Sequence, residues 1–458
     1  ELNSDARPDY VFPTSIALST ALPVLPPIPC YSQIPRALLG AWTHAAIVDL
    51  NGNGLPDVVA AASDSIDLDF FNGTPEGKLV PSTIPTEGRV SHLVVGDLDG
   101  DLVTDILYAQ PTSAKPAKDG LFGAFGVVGG VPQPGAKVGE IEAVAQVTAI
   151  DVSAPMPQVV VLSTPERAEA GSTVSIFFGS SDRQPLAPSL LTQGATDERD
   201  VPLLLATGRL IGGGPADVLV LAYREIGDGT LGITSWLAPD GSGQLGKPAE
   251  LAVPLLFPAG DWPVLLNSAD LDGDGLVELM VITVGPVNLE EEDAKPTHSL
   301  LRMGRLSGAS GAWTELGSIV LPLLPTTSGT LATADLDGDG FPEVLLANGR
   351  EEAVVLWNDG TGFFPIEALS LLEPGVRALV AVRDGLQASF SLVYVTKEAV
   401  KRVRATSRRE LGRPDLLLEG LADGTGIAAG DLDGDGVGDL AVVDNQNVRV
   451  LRGRAVLP

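Results

Sequence analysis

DLDGDG stands at residues 270–275, again at 335–340 and again at 431–436, with near-copies DLNGNG at 49–54 and DLDGDL at 97–102. Each copy is preceded by a short apolar stretch: HAAIVDL, HLVVGDL, LNSADL, LATADL and IAAGDL. Each is followed by an apolar run: DVVAAA, DILYA, ELMVITV, EVLLAN and DLAVVD. The unit is therefore strand, acidic turn, strand. The second run has no polar alternation, which predicts a strand buried on both faces.

The spaces between the five turns hold weaker copies. RLIGGGPADVLVLA at 209–222 keeps a glycine turn and Asp217 but lacks the carboxylates. DVSAPMPQVVVLS at 151–163 and RDGLQASFSLVYV at 383–395 keep the strand and little else, and ELNSDARPDYVF at 1–12 reads as a turn entered at its first residue. Units then start near 1, 49, 97, 151, 209, 270, 335, 383 and 431, at spacings of 48 to 65 residues. A self-similar unit of that length with several strands is the mark of a propeller blade. The expected fold is all-β: one propeller over 1–458, with eight blades favoured and seven the alternative. The last unit offers only three strands before Pro458. An N-terminal strand within roughly 10–20 is expected to complete it and close the ring. The proline-rich piece ALPVLPPIPCYSQIPR at 21–36 is the best linker candidate.

Composition agrees with short strands and many turns. Of 458 residues, 44% are hydrophobic and 19% charged, with 53 glycines and 36 prolines. The net charge of −30 removes the basic footprint that nucleic acid or an anionic membrane requires. The single cysteine, Cys30, excludes an intrachain disulfide, so a bound metal is an alternative staple. No apolar run reaches the length of a membrane span; the stretch 251–266 is broken by Pro254, Pro258, Asp261 and Pro263. The chain starts at Glu1 and reads as a mature or trimmed form, with a secreted, periplasmic or cell-surface location expected.

The turns offer hard oxygen ligands at positions 1, 3, 5 and 9, with a backbone carbonyl at 7, a set that suits calcium. For the turn at 270 these are Asp270, Asp272, Asp274, the carbonyl of Leu276, and Glu278. At 335 they are Asp335, Asp337, Asp339, the carbonyl of Phe341, and Glu343. At 431 they are Asp431, Asp433, Asp435, the carbonyl of Val437, and Asp439. Glycine at position 6 permits the left-handed bend. Two weaker sets follow: Asp49, Asn51, Asn53, Leu55 and Asp57, with two neutral amides, and Asp97, Asp99, Asp101, Val103 and Asp105, with Leu102 in the glycine place. The 1–9 stretch lacks glycine and is left out. An EF-hand would close at position 12 and continue as helix, and zinc would bring Cys or His, so both are rejected. Ordinary acidic surface turns without a metal are the blander alternative. Five calcium ions would offset ten charges, leaving about −20.

These turns resemble those of the FG-GAP / VCBS repeat family, the calcium-loop propellers of integrin α-subunit heads. The likeness rests on DxDGDGxx(D/E) at 270, 335 and 431, with the eponymous segment faint in LFGAFGVVGG at 121–130. It implies a propeller with its loops between the first two strands of each blade, bound calcium, and an extracellular binding or adhesion role. It says little of the ligand. The units at 151, 209 and 383 depart from the motif and are expected to be metal-free.

Signals for catalysis are sparse. His44 and His92 each lie five residues before a first Asp, so they hold equivalent places on neighbouring blades. They could form a ligand face or a base, although two satisfied strand histidines is the simpler reading. His298 follows the acidic stretch 288–297. No GxSxG elbow or phosphate loop appears, and GRLIGGG at 208–214 aligns with a weak turn. Five tryptophans (Trp42, Trp236, Trp262, Trp313, Trp357) are ordinary core usage. The run KRVRATSRR at 401–409 is either a partner patch or a charge balance for nearby acids. Three functions stay open: a non-catalytic binding or adhesion propeller for a protein or glycan, a calcium-dependent rhamnogalacturonan-type polysaccharide lyase, and a structural surface component.

Overall fold

The computed structural model describes residues 10–12, 15–17, 30–33, 42–62, 66–74, 79–86, 88–111, 119–133, 137–141, 144–150, 158–163, 173–178, 189–193, 200–208, 217–224, 234–236, 249–250, 261–285, 298–307, 312–322, 330–348, 352–360, 369–383, 390–406, 409–430, 438–444 and 448–453. Among these the regular elements are all strands, in antiparallel pairs. Eight sheets of four or more strands follow one another along the chain, plus one two-stranded hairpin.

The first sheet runs Trp42–Val48, Asp57–Ala62, Asp67–Gly73 and Leu79–Pro85. The second runs His92–Gly96, Asp105–Pro111, Asp119–Ala124 and Lys137–Ile141. The third and fourth open with Val144–Ile150 and Asp200–Gly208, the fifth with Trp262–Ala269 and the sixth with Thr330–Ala334. The seventh opens with Ala378–Arg383 and gains a fifth strand, Asp415–Glu419, which pairs Ala399–Thr406. The eighth opens with Gly424–Gly430. First strands of successive sheets touch, and that of the eighth touches that of the first.

The units read from the sequence fall on this pattern. Positions 49, 97, 151, 209, 270, 335 and 431 each follow the last residue of a first strand, and 383 is itself such a last residue. The second strands are buried along their length, as in Glu278–Val284, Glu343–Ala347 and Asp439–Asp444. Two neighbouring sheets cover them, which is why their sequence lacks alternation. The core accordingly lies between sheets: Ile47, Val58, Ala60 and Phe71 of the first pack with Ala428, Ala441, Val443 and Val450 of the eighth. Trp313 and Trp357 are buried here as core side chains, Trp357 donating to Ser370 Oγ at 2.8 Å.

One expectation is corrected. The fourth strand of the eighth sheet is Cys30–Gln33, paired with Val448–Arg452, and does not come from 10–20. Tyr10–Phe12 and Ser15–Ala17 instead pair with each other and lie against the first strands of the first, sixth and eighth sheets. The strand is only four residues long and sits inside the proline-rich stretch read as a linker, with Pro29 before it and Pro35 soon after. Proline is tolerated there because an outermost strand leaves one edge unpaired.

Candidate metal loops

Each acidic turn joins the first strand of a sheet to its second. The leucine at position 2 anchors it: Leu50 and Leu271 are fully buried, Leu98 and Leu336 nearly so. The closing acid is the first residue of the second strand, set opposite the last residue of the first, as in Val48 with Asp57 and Ala334 with Glu343. Asp57, Asp105, Glu278, Glu343 and Asp439 are all inaccessible to solvent. Asp217 holds the same register place opposite Gly208 in the fourth sheet, as its sequence alignment implies.

The carboxylates wind the turn around themselves. In the turn at 335, Asp335 accepts from the N–H groups of Gly338 (2.7 Å) and Gly340 (3.0 Å). Asp337 accepts from Asp339 N–H at 3.2 Å, and Asp339 from Phe341 N–H at 2.9 Å. Glu343 accepts from Leu336 N–H at 2.6 Å. The turn at 270 repeats this pattern with Asp270, Asp272, Asp274 and Glu278. So does the turn at 97 with Asp97, Asp99, Asp101 and Asp105. At 49 the amides substitute, with Asn53 N–H bonding Asn51 Oδ1 at 3.1 Å and Leu55 N–H bonding Asn53 Oδ1 at 2.7 Å. The winding also gathers carboxylate oxygens. Carboxylate oxygens of Asp97, Asp99 and Asp101, of Asp270, Asp272 and Glu278, and of Asp335, Asp337 and Asp339 lie within 4.8 Å of one another in each group.

Both positions 4 and 6 are left-handed, at φ 76° and 85° for Gly273 and Gly275 and 80° and 93° for Gly338 and Gly340. The sequence reading assigned this role to position 6 alone. Leu102 takes φ 68° at position 6 and is 92% exposed, so its strain of about 1 kcal/mol has no packing to offset it. Leu102→Gly should therefore stabilise the protein by about 0.5 kcal/mol in urea unfolding, after the extra chain entropy of glycine is subtracted.

The second oxygen of the closing acid separates two kinds of turn. Where the acid is Asp, it accepts from a glycine N–H beyond the third strand's partner residue. Asp57 pairs with Gly73 (2.8 Å), Asp105 with Gly126 (2.7 Å) and Asp439 with Gly453 (2.7 Å). Aspartate is one methylene shorter than glutamate, so that strand must come close, and only glycine fits. A Cβ on Gly73 would lie 2.3 Å from Pro56 O. Where the acid is Glu, its second oxygen, Glu278 Oε1 or Glu343 Oε1, is buried without a hydrogen-bond partner. The glycine partner is signalled in the sequence only by FG at 125–126 and NG at 72–73, which carry no acidic mark of the turn they serve.

Burial raises four of the closing acids. Desolvation, partly opposed by N–H bonds and reinforced by the neighbouring aspartates, lifts Asp57, Asp105 and Glu278 to about 7 and Glu343 to about 8. Asp335 and Asp337 are also raised, chiefly by desolvation. Two arginines supply counter-charge. Arg305 Nη1 lies 3.5 Å from Asp272 and 3.6 Å from Asp274. Arg409, last residue of the basic run, lies 3.3 Å from Asp339 and 3.7 Å from Asp337. Lys401 pairs with Glu373 and Arg402 with Asp415, so that run balances nearby acids as one of its two readings held.

The remaining sequence candidates are placed unevenly. Asp431, Asp433, Asp435 and Val437 lie outside the described residues, as do 1–9, 151–157, 209–216 and 286–297. His44 and His92 are opposite Ala61 and Ala109, equivalent positions on strands that touch. His92 Nδ1 is 3.2 Å from Ser91 Oγ; the side chain of His44 is outside the described set. His298 Nε2 lies 3.2 Å from the buried Asp261.

The chain has counterparts among known proteins. Residues 49–108, which span the first two turns, match the FG-GAP-like repeat family. No curated protein matches the chain. Among solved structures, the Dos1 propeller superposes with a TM-score of 0.50 at 10% identity, covering 93% of this chain and 94% of that one. BBS1N, solved in complex with ARL6DN, gives 0.44 at 15% identity over 82% and 95%. An Agrocybe aegerita protein that recognises non-reducing terminal N-acetylglucosamine gives 0.46 at 14% identity over 82% and 94%. The chain has a β-propeller fold, and its residues 49–108 match an FG-GAP-like repeat.

Proposed function

We propose that the chain is a calcium-stabilised, non-catalytic binding propeller of eight blades. The touching first strands form the ring in this reading, and the Cys30–Gln33 strand ties its two ends together. The observation that carries the calcium reading is Glu278 Oε1, buried without a hydrogen-bond partner on a residue whose carboxylate is gathered with those of Asp270 and Asp272. A buried carboxyl oxygen without a partner costs about 1–3 kcal/mol, and a cation among the neighbouring carboxylates removes that cost. The donor set is all oxygen, which suits calcium and not zinc. Asp270, Asp272, Asp274, Glu278 and the Leu276 carbonyl would hold one ion, and Asp335, Asp337, Asp339, Glu343 and the Phe341 carbonyl another. By sequence identity the turn at 431 holds a third. The turns at 49 and 97 hold weaker ions, since Asn51 and Asn53 carry no charge and Leu102 strains its turn.

A non-catalytic role is favoured because the turn aspartates accept N–H groups of their own turns, which suits ligation. The ligand is a protein or a glycan, and a secreted, periplasmic or surface location supplies the calcium. Calorimetric titration of chelator-stripped protein with calcium chloride should show at least three ions bound, and up to five. A glycan and pectin panel then separates a binding module from a lyase: retention without unsaturated product supports binding. Absence of calcium uptake at millimolar concentration would remove the proposal.

A further inference from the structure

We infer that adjacent metal loops are mechanically coupled, so that filling one raises calcium affinity at the next; this rests on the calcium reading above. Two contacts repeat in two independent pairs of neighbouring turns, and a third is made in one of those pairs. First, the side chain at position 7 of the later turn lies on the position-4 glycine of the earlier one. A Cβ on Gly273 would lie 3.4 Å from Phe341 Cε1, and one on Gly52 would lie 3.4 Å from Val103 Cγ2. The position-7 carbonyl is a calcium ligand in the proposed site, so its side chain and its ligand oxygen report on different loops.

Second, the residue following the third-strand partner of the closing acid sits between the two turns. In the sixth sheet this is Asn358, fully buried, which donates to Leu271 O at 2.6 Å and to Pro342 O at 3.1 Å. These are position 2 of the turn at 270 and position 8 of the turn at 335. In the second sheet the equivalent residue is Gly126. A Cβ there would lie 3.0 Å from Leu50 O and 2.6 Å from Thr104 O, again positions 2 and 8 of successive turns. Third, the segment beyond bonds the earlier turn in that pair as well, with Gly129 N–H donating to Asn51 O at 2.6 Å. Asn358 bonds both turns through its side chain, whereas Gly126 lets the backbone pass equally close to both. An ion that fixes the later turn therefore fixes Phe341 and Asn358 against the earlier one. The second ion meets a loop already ordered, which is positive cooperativity through shared ordering.

The test uses the full chain with Asp49→Asn, Asp97→Asn and Asp431→Asn, leaving the turns at 270 and 335 intact. Calorimetric titration with calcium chloride should show two ions, the second binding at least about fivefold tighter than the first. Phe341→Ala keeps every carboxylate and the ligand carbonyl, and should reduce that ratio to near one while two ions still bind. Asn358→Ala should do the same. If the triple background does not fold, the Hill slope of wild type against Phe341→Ala gives the comparison. Two ions binding independently, or coupling unchanged in both variants, would overturn the inference and leave the calcium reading standing. No uptake at all would overturn the calcium reading, and this inference with it.

Discussion

Gly126→Ala should lower stability by about 3–5 kcal/mol in urea unfolding, whereas Gly96→Ala, in the same sheet, should be near neutral. The added methyl of the first would meet Val103 Cγ1 at 2.5 Å and Thr104 O at 2.6 Å. Backbone cannot give way there, and such overpacking costs about 1–3 kcal/mol. Any shift that relieves it also stretches the Gly126 N–H bond to the buried Asp105, leaving a carboxylate oxygen unpaired at about 1–3 kcal/mol more. A Cβ on Gly96 meets nothing within 4 Å, and that residue is not left-handed. Equal effects at the two glycines would show that the Asp–glycine pairing does not govern the packing of this sheet.

The second large effect is a reversal in how stability responds to pH. In chelator, the closing acids hold their protons in the folded state up to about 7 for Asp57, Asp105 and Glu278, and about 8 for Glu343. In the unfolded chain they release them near 4. Between those values the folded state binds more protons, so stability falls as pH rises from about 4 to about 8. On the proposed calcium reading the acids are ionised ligands when calcium is present, and protons compete with the ion. Stability then rises with pH over the same window. Melting temperatures at pH 5.5 and 7.5, each with chelator and with calcium, should therefore change in opposite directions. Glu343→Gln should raise the midpoint in chelator at pH 7.5 and lower it in calcium. Parallel pH trends in the two buffers would contradict this.

Much of this architecture was legible because the repeat writes itself in local chemistry. DLDGDG fixes a turn through its own carboxylates, and the apolar runs on either side fix two strands, so the unit starts at 49, 97, 270, 335 and 431 fall at the ends of first strands. What escaped was non-local. The Cys30–Gln33 strand forms its only named pairing with residues more than 400 positions away, and its flanking prolines look like a linker. The glycine partner of each closing Asp lies 14 to 21 residues downstream, on a strand whose distance depends on whether the acid is Asp or Glu. Position-4 glycine was visible in every copy, but its left-handed φ follows from the double N–H capping by the first Asp, which only the folded turn displays. Arg409 reaches from the seventh sheet to a turn of the sixth, a contact that charge counting could frame only as balance.

The calcium reading is tested most directly by thermal unfolding in excess chelator, in millimolar calcium and in millimolar magnesium. A hundredfold excess over the dissociation constant contributes about 2.7 kcal/mol per filled site, and several filled sites should raise the midpoint by many degrees. The account predicts that calcium gives this shift and that magnesium, which demands a tighter octahedral shell, gives little of it. An unchanged midpoint in calcium, or an equal shift in magnesium, would contradict it.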